Sequence, residues 1–196
     1  SAEHAKALDQ WRKARDESDR AGLGGIEFGR TGAAGETAQK TAADAVAYFS
    51  EALGTQKHGN PIAQRYGLVS ALLRNNEIDR AVQELAVLRK LARFNPMSRN
   101  SPMIETLAGQ VKRAEKNPAA ALAFYRTAVQ NFPQHRALIY DYAELLLQND
   151  QAETAVKLLA AQITRHPSDT TLYDLQARGY AMQGKILEQH QAQAYS

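Results

Sequence analysis

The chain has 196 residues, of which 44% are hydrophobic, and its formal net charge is +3. This length suits one compact domain or a short array of repeats, and the apolar content is enough to bury a core. No apolar run approaches the length of a membrane-spanning helix, so we expect a folded protein without direct membrane insertion.

The composition also limits the kinds of chemistry and the classes of partner that are expected for this chain. Because the chain contains no cysteine, disulfide frameworks, thiol nucleophiles and cysteine zinc sites are excluded. Residues 80–116 are locally basic, with eight Lys or Arg against three Glu. Solvated helix faces usually carry such charges, and the net charge is small, so we expect no nucleic acid partner.

The N-terminal region, residues 1–36, is predicted to precede the repeated part of the chain. Residues 3–20 have a helical pattern, and the stretch AGLGGIEFGRTGAAGE at 21–36 contains six glycines. Each glycine costs about 1 kcal/mol in a helix interior, so we interpret 21–36 as a flexible loop. A dinucleotide-binding interpretation fails because Glu27 stands where a glycine is needed and no strand comes before it.

From residue 37 the chain repeats one pattern: an apolar helix, a tight turn, and a second helix that ends near a proline. The predicted repeats have the boundaries 61–96, 102–133 and 134–167. Half a repeat precedes them at 37–60, and an incomplete helix pair follows them at 168–196. Pro133 and Pro167 lie 34 residues apart, which is a solenoid period. The stretch MSRNSP at 97–102 is rich in turn residues and is interpreted as an inserted loop.

Small residues recur at matched positions of these helices. Gly109 falls in a first helix, and Ala121, Tyr125 and Ala128 form one stripe of the second helix. Asn117-Pro118 predicts the turn between them, because proline suits the first turn of a helix. Close packing of paired helices follows from this pattern.

These landmarks resemble the tetratricopeptide repeat, although the tryptophan of that family's first helix is missing throughout. The resemblance implies an all-α fold, a right-handed α-solenoid of antiparallel helix pairs. Three stretches, YFSEAL, AQRYGLVSALLRNNEIDRAVQEL and HPSDTTLYDLQARGYAMQGKILEQHQAQAYS, are similar to a narrower family. They resemble the C-terminal repeat region of bacterial M48-family zinc metalloproteases of the β-barrel assembly-enhancing type.

The narrower resemblance implies a non-catalytic domain of a longer periplasmic protein. The family's zinc-binding H-E-x-x-H helix is absent from this chain, so no cofactor is expected here and zinc is expected in the missing protease domain. The implied partners are that protease domain and the β-barrel assembly machinery or misassembled outer-membrane proteins.

Catalytic and metal-binding residues are not predicted. The five histidines are isolated in sequence, whereas a zinc hydrolase helix needs two histidines one turn apart with a glutamate. Two alternatives remain open: a stand-alone repeat adaptor with no protease attached, and an enzyme whose site is assembled from distant histidines.

A protein-binding groove is predicted instead. In helix-pair solenoids the first helices line the concave face, so their outward side meets a ligand. The candidates from that projection are Tyr66, Ser70, Arg74, Thr106, Gln110, Arg113, Tyr140, Glu144, Asp174 and Arg178. The sequence does not choose between an extended peptide and a folded surface as the partner, and the incomplete last pair predicts self-association through the C-terminal end.

Overall fold

The computed structural model describes residues 33–55 and 60–196 and contains no strand within them. Its helices are α1 (Ala33–Thr55), α2 (Pro61–Arg74), α3 (Ile78–Arg93), α4 (Pro102–Ala114), α5 (Pro118–Asn131), α6 (Arg136–Gln148), α7 (Ala152–Ile163), α8 (Thr170–Met182) and α9 (Ile186–Gln193). The predicted all-α fold of paired helices is confirmed. None of the described helices is long and apolar enough to cross a membrane.

The predicted N-terminal region requires one correction. The helix over 3–20 and the loop over 21–32 lie outside the described residues, but α1 begins at Ala33, three residues before residue 36, the expected end of the loop. Ala33 and Ala34 favour a helix, and the single glycine at position 35 costs only about 1 kcal/mol. This cost does not prevent the helix from extending into the last residues of the predicted loop.

The chain divides into two compact units, the first ending at Leu107 and the second beginning at Ala108, so the boundary falls within α4. In the first unit α2 packs against both α1 and α3. Gly67 lies where an added Cβ would be 2.3 Å from the ring of Phe49, so the missing side chain is what lets α1 approach α2. Each of α2 and α3 has a buried apolar stripe, which includes Leu72 in α2 and Leu88 in α3.

The second unit has a continuous core built from α5 to α8. Tyr125 of α5 is fully buried in this core, and a Cβ on Gly109 would lie 2.5 Å from its ring. The rings of Tyr125 and Tyr142 are stacked with their centroids 6.3 Å apart. The predicted role of Gly109 as a close-packing position is therefore confirmed by the ring that occupies its missing side-chain volume.

The four tight turns between paired helices share one backbone feature. The residue two positions before each second helix has a positive φ: Asn76, Lys116, Asp150 and Gly184. The last three are each 34 residues apart, which confirms the period predicted from the prolines. In three of these turns a backbone N–H donates to the carbonyl oxygen five residues earlier, which is the hydrogen bond typical of a Schellman motif. One example is the bond from Lys185 N to Tyr180 O at 3.0 Å.

The second-helix stripe leads to a first prediction, for the variant Ala121→Leu. Ala121 is 1% exposed at the start of α5, so the larger side chain should overpack the core and lower the free energy of unfolding by about 1–3 kcal/mol. Thermal unfolding followed by circular dichroism measures this loss. The matched control is Ala123→Leu on the exposed side of the same helix, expected to change stability by less than about 0.5 kcal/mol. Equal melting temperatures for the two variants would show that the assigned register is wrong.

Candidate protein-binding face of the second unit

Several polar residues of the first helices of the second unit lie outside the buried stripes of those helices. In α6 the buried positions include Ile139, Tyr142 and Leu146, and this pattern leaves Asp141, Glu144 and Gln148 on another side of the helix. We use the name first-helix face for the side that carries Gln110, Arg113, Asp141, Glu144, Gln148, Asp174 and Arg178.

Asp141 is the centre of a hydrogen-bonded network on this face. Its Oδ2 atom accepts from the hydroxyl of Tyr125 at 3.2 Å and from Nε2 of Gln110 at 3.5 Å. Its Oδ1 atom lies 3.8 Å from Nη1 of Arg113. The Tyr125 hydroxyl is itself within the space left by Gly109. The polar face is therefore anchored to the buried core through one aromatic side chain.

Glu144 connects two first helices. Its Oε2 atom lies 3.9 Å from Nη1 of Arg113 on α4, and its Oε1 atom lies 3.7 Å from Nη1 of Arg178 on α8. Arg113 also donates through Nη2 to Oε1 of Gln148 at 3.2 Å. Residues from α4, α6 and α8 thus meet in one row of alternating charge.

Accessibility divides this row into a supporting part and an outer part. The side chains of Asp141 and Arg113 are 14% and 15% exposed, whereas that of Arg178 is 54% exposed. Asp174 is exposed one helical turn before Arg178. A ligand would therefore meet Asp174 and Arg178 directly, while Asp141 and Arg113 hold the face in place.

Burial changes the protonation of the supporting residues. It raises the pKa of Asp141 to about 6, although Arg113 and the hydrogen bonds from Tyr125 and Gln110 act in the opposite direction. Burial also raises the pKa of Tyr125, and the charge of Asp141 adds to this effect. Tyr125 is consequently a neutral hydrogen-bond donor at any physiological pH.

A second cluster fixes Tyr140. The hydroxyl of Tyr140 and Nη1 of Arg136 both donate to Oδ2 of Asp169, the latter at 3.2 Å. Burial acts to raise the pKa of Asp169, but these hydrogen bonds outweigh it and the pKa is lowered. Burial, followed by the bond to Asp169, raises the pKa of Tyr140 to about 12. Tyr140 therefore joins α6 to the start of α8.

The structure places the ten sequence candidates in different ways. In the second unit it brings together Gln110, Arg113, Glu144 and Arg178, while Asp174 lies a turn away and Tyr140 belongs to the Asp169 cluster. In the first unit Tyr66 and Ser70 are partly buried on α2, and Arg74 is exposed at its end.

The prediction that Thr106 lines the binding groove is wrong. It is buried, and its hydroxyl donates to the carbonyl of Pro102 at 2.9 Å, so it is not available to a ligand. The helical projection was wrong here because α4 is buried on several sides: Leu107, Ala108 and Gly109 follow Thr106 and are buried as well.

Two residues of the face were missed by the projection. Asp141 and Gln148 lie three residues before and four residues after Glu144, so helical spacing alone places them on the same side of α6. No three His, Cys, Asp or Glu side chains in 33–55 and 60–196 are grouped closely enough to hold a metal ion. The arrangement offers charged donors and acceptors for another polar surface.

Comparison with known proteins bears on the class of this unit. Residues 112–179 match the family model described as Tetratricopeptide repeat, so a repeat of this kind is present from the end of α4 to α8. The matched segment contains Arg113, Asp141, Glu144 and Arg178. Domains of this class generally bind protein partners and are typically non-catalytic. No curated protein matches the chain.

Proposed function

We propose that the protein is a non-catalytic protein–protein interaction scaffold that binds its partner on the first-helix face of the second unit. The observation that carries this proposal is the row of charged residues from three successive first helices, held in place by the buried Asp141 network. The tetratricopeptide repeat at 112–179 supports the same class of function.

The geometry of the row suits a binding surface. Side chains that are already ordered lose less conformational entropy when a partner arrives, so more of the interaction energy appears as affinity. Arginine is also among the residues that most often dominate interface energetics. Arg178 combines both properties, because it is exposed and lies beside Glu144. An extended peptide with alternating charge and a folded surface both fit this description.

We propose further that the chain is the C-terminal repeat domain of a periplasmic zinc metalloprotease of the β-barrel assembly-enhancing type. The support for this is the resemblance of its three quoted stretches to that family. The partners would then be the protease domain itself and the β-barrel assembly machinery or misassembled outer-membrane proteins. Zinc would be bound by the protease domain, and this chain would carry no cofactor of its own.

The test is to isolate the native protein from its own cells with an antibody against this chain and to measure its intact mass and zinc content. The proposal predicts a periplasmic species far heavier than 21.6 kDa with about one zinc per molecule, as one catalytic site holds. The 196-residue chain alone should not hydrolyse casein. A zinc-free species near 21.6 kDa would refute the protease association and leave a stand-alone adaptor, whereas hydrolysis by the chain alone would refute the scaffold.

Self-association through the C-terminal end stays a prediction. Ile186 and Leu187 on α9 are 66% and 69% exposed, and exposed apolar side chains of this size favour contacts between copies. Sedimentation velocity of the chain over a range of concentrations distinguishes a monomer from a dimer.

A further inference from the structure

Exposed apolar and basic residues occur together at the end of α3, in the segment that follows it and at the start of α4, within the first unit. We use the name α3 patch for Phe94, Met97 and Met103 together with Lys90, Arg93 and Arg99. All six residues are exposed, Phe94 at 78% and Met97 at 92%. The three apolar residues fall within ten consecutive residues of the chain, and an exposed apolar surface that is continuous over several large side chains marks an interaction site.

The exposure follows from how α3 is built. Its inner face consists of Ala81, Leu85, Leu88 and Ala92, which are all buried. Phe94 lies beyond the last of these as the C-cap residue and has no core position to occupy. The helix therefore ends with an aromatic side chain in solvent.

The segment after the helix holds Met97 in an ordered turn. The side chain of Asn95 accepts a hydrogen bond from Met97 N at 2.9 Å, and its carbonyl accepts from Ser98 N and Arg99 N at 3.0 Å. Met97 is consequently presented by a hydrogen-bonded turn.

The charge around these apolar side chains has one sign. The twenty residues from Leu85 to Ile104 contain four bases and no acid. Arg89 is paired with Glu105 at 2.6 Å. No ion pair is formed by Lys90, Arg93 or Arg99 with any residue that the structure describes. Lys90, Arg93 and Arg99 are all exposed, so their charges can attract an anionic surface.

We propose that the α3 patch docks the protein on the anionic headgroups of a membrane surface, without crossing the membrane. Exposed Lys and Arg beside Phe and Met is the combination that binds such interfaces, with apolar side chains entering the headgroup region and bases meeting lipid phosphates. A fluid interface accepts side chains that project as far as Phe94 and Met97, whereas a protein partner would need a matching pocket. The proposal concerns a different unit from the first-helix face and does not depend on the proposed function.

The test is flotation of the purified chain with vesicles of phosphatidylcholine alone and of phosphatidylcholine mixed with phosphatidylglycerol. We expect binding only to the anionic vesicles. The double variant Lys90→Gln/Arg93→Gln should bind about 30-fold more weakly, since each base near an anionic surface contributes about fivefold. Phe94→Ser/Met97→Ser should weaken binding by about tenfold or more, because its apolar area is lost.

The matched control is Arg126→Gln/Arg165→Gln, which removes the same charge from exposed positions of the second unit. It should bind anionic vesicles nearly as well as the unchanged chain. Equal losses for the two charge variants, or binding that is unaffected by Phe94→Ser/Met97→Ser, would overturn the proposal. Failure to bind anionic vesicles would also overturn it. If the chain is then a dimer that Phe94→Ser/Met97→Ser dissociates, a second copy of the chain is the occupant of the α3 patch.

Discussion

Replacing Tyr125 by alanine is expected to lower the free energy of unfolding of the second unit by about 3–5 kcal/mol, the loss typical of a large aromatic removed from a core. Tyr125 is fully buried, stacks on Tyr142 and fills the space left by Gly109. The substitution would also leave the buried carboxylate of Asp141 without one donor. Hydrogen exchange of the amides in α5 to α7, measured by mass spectrometry, reports this local stability.

The variant Tyr125→Phe separates the ring from the hydroxyl. It keeps the packing and removes only the hydrogen bond to Asp141, so we expect a smaller loss of about 1–3 kcal/mol. A loss for Tyr125→Phe as large as that for Tyr125→Ala would mean that the hydroxyl, not the packing, contributes most of the effect. No loss for either variant would contradict the core described here.

The second large effect is a decrease of the free energy of unfolding with rising pH, which is expected from the titration of Asp141. Its pKa rises from 3.8 to about 6 on folding. Between these values the folded state holds a proton that the unfolded state has lost, so the stability falls as the pH increases and the loss is complete above about pH 6. A difference of about two pKa units corresponds to a decrease of roughly 3 kcal/mol.

The variant Asp141→Asn should remove this dependence, because the amide carries no titrating proton. Its stability relative to the unchanged chain should therefore increase by roughly 3 kcal/mol from about pH 4 to about pH 7, as measured by urea unfolding. Glu153→Gln is the control. The pKa of Glu153 is lowered by its hydrogen bond with Lys157, so the stability of this variant relative to the unchanged chain should decrease, not increase, as the pH rises. A parallel pH profile for Asp141→Asn and the unchanged chain would show that the carboxylate is not desolvated.

Much of the fold could be predicted because its signals are local. Asn117 caps α5 by accepting from Ala120 N at 3.1 Å, and Pro118 is its first residue, as the dipeptide indicated. Gly184 has a positive φ of 69° in the last turn, which favours glycine. These features depend on the residues at one position and its immediate neighbours.

The candidate face could be predicted only in part because its chemistry depends on contacts between helices. Helical spacing is enough to place Arg113, Glu144 and Arg178 on outward sides. It cannot show that Tyr125, from a second helix, reaches Asp141 through the space at Gly109. It also cannot show that Thr106 is buried, since a projection of one helix contains no information about its neighbours.

The most direct test of the scaffold is site-specific photo-crosslinking of the protein in its own cells. A photoreactive residue at Asp174, which is exposed on the first-helix face, is compared with one at Lys157, which is exposed on α7. We expect a crosslinked protein at position 174, none at position 157, and loss of the crosslink at 174 when Arg178 is replaced by glutamate. Equal crosslinking at the two positions, or a crosslink at 157 alone, would contradict the assignment of the binding face.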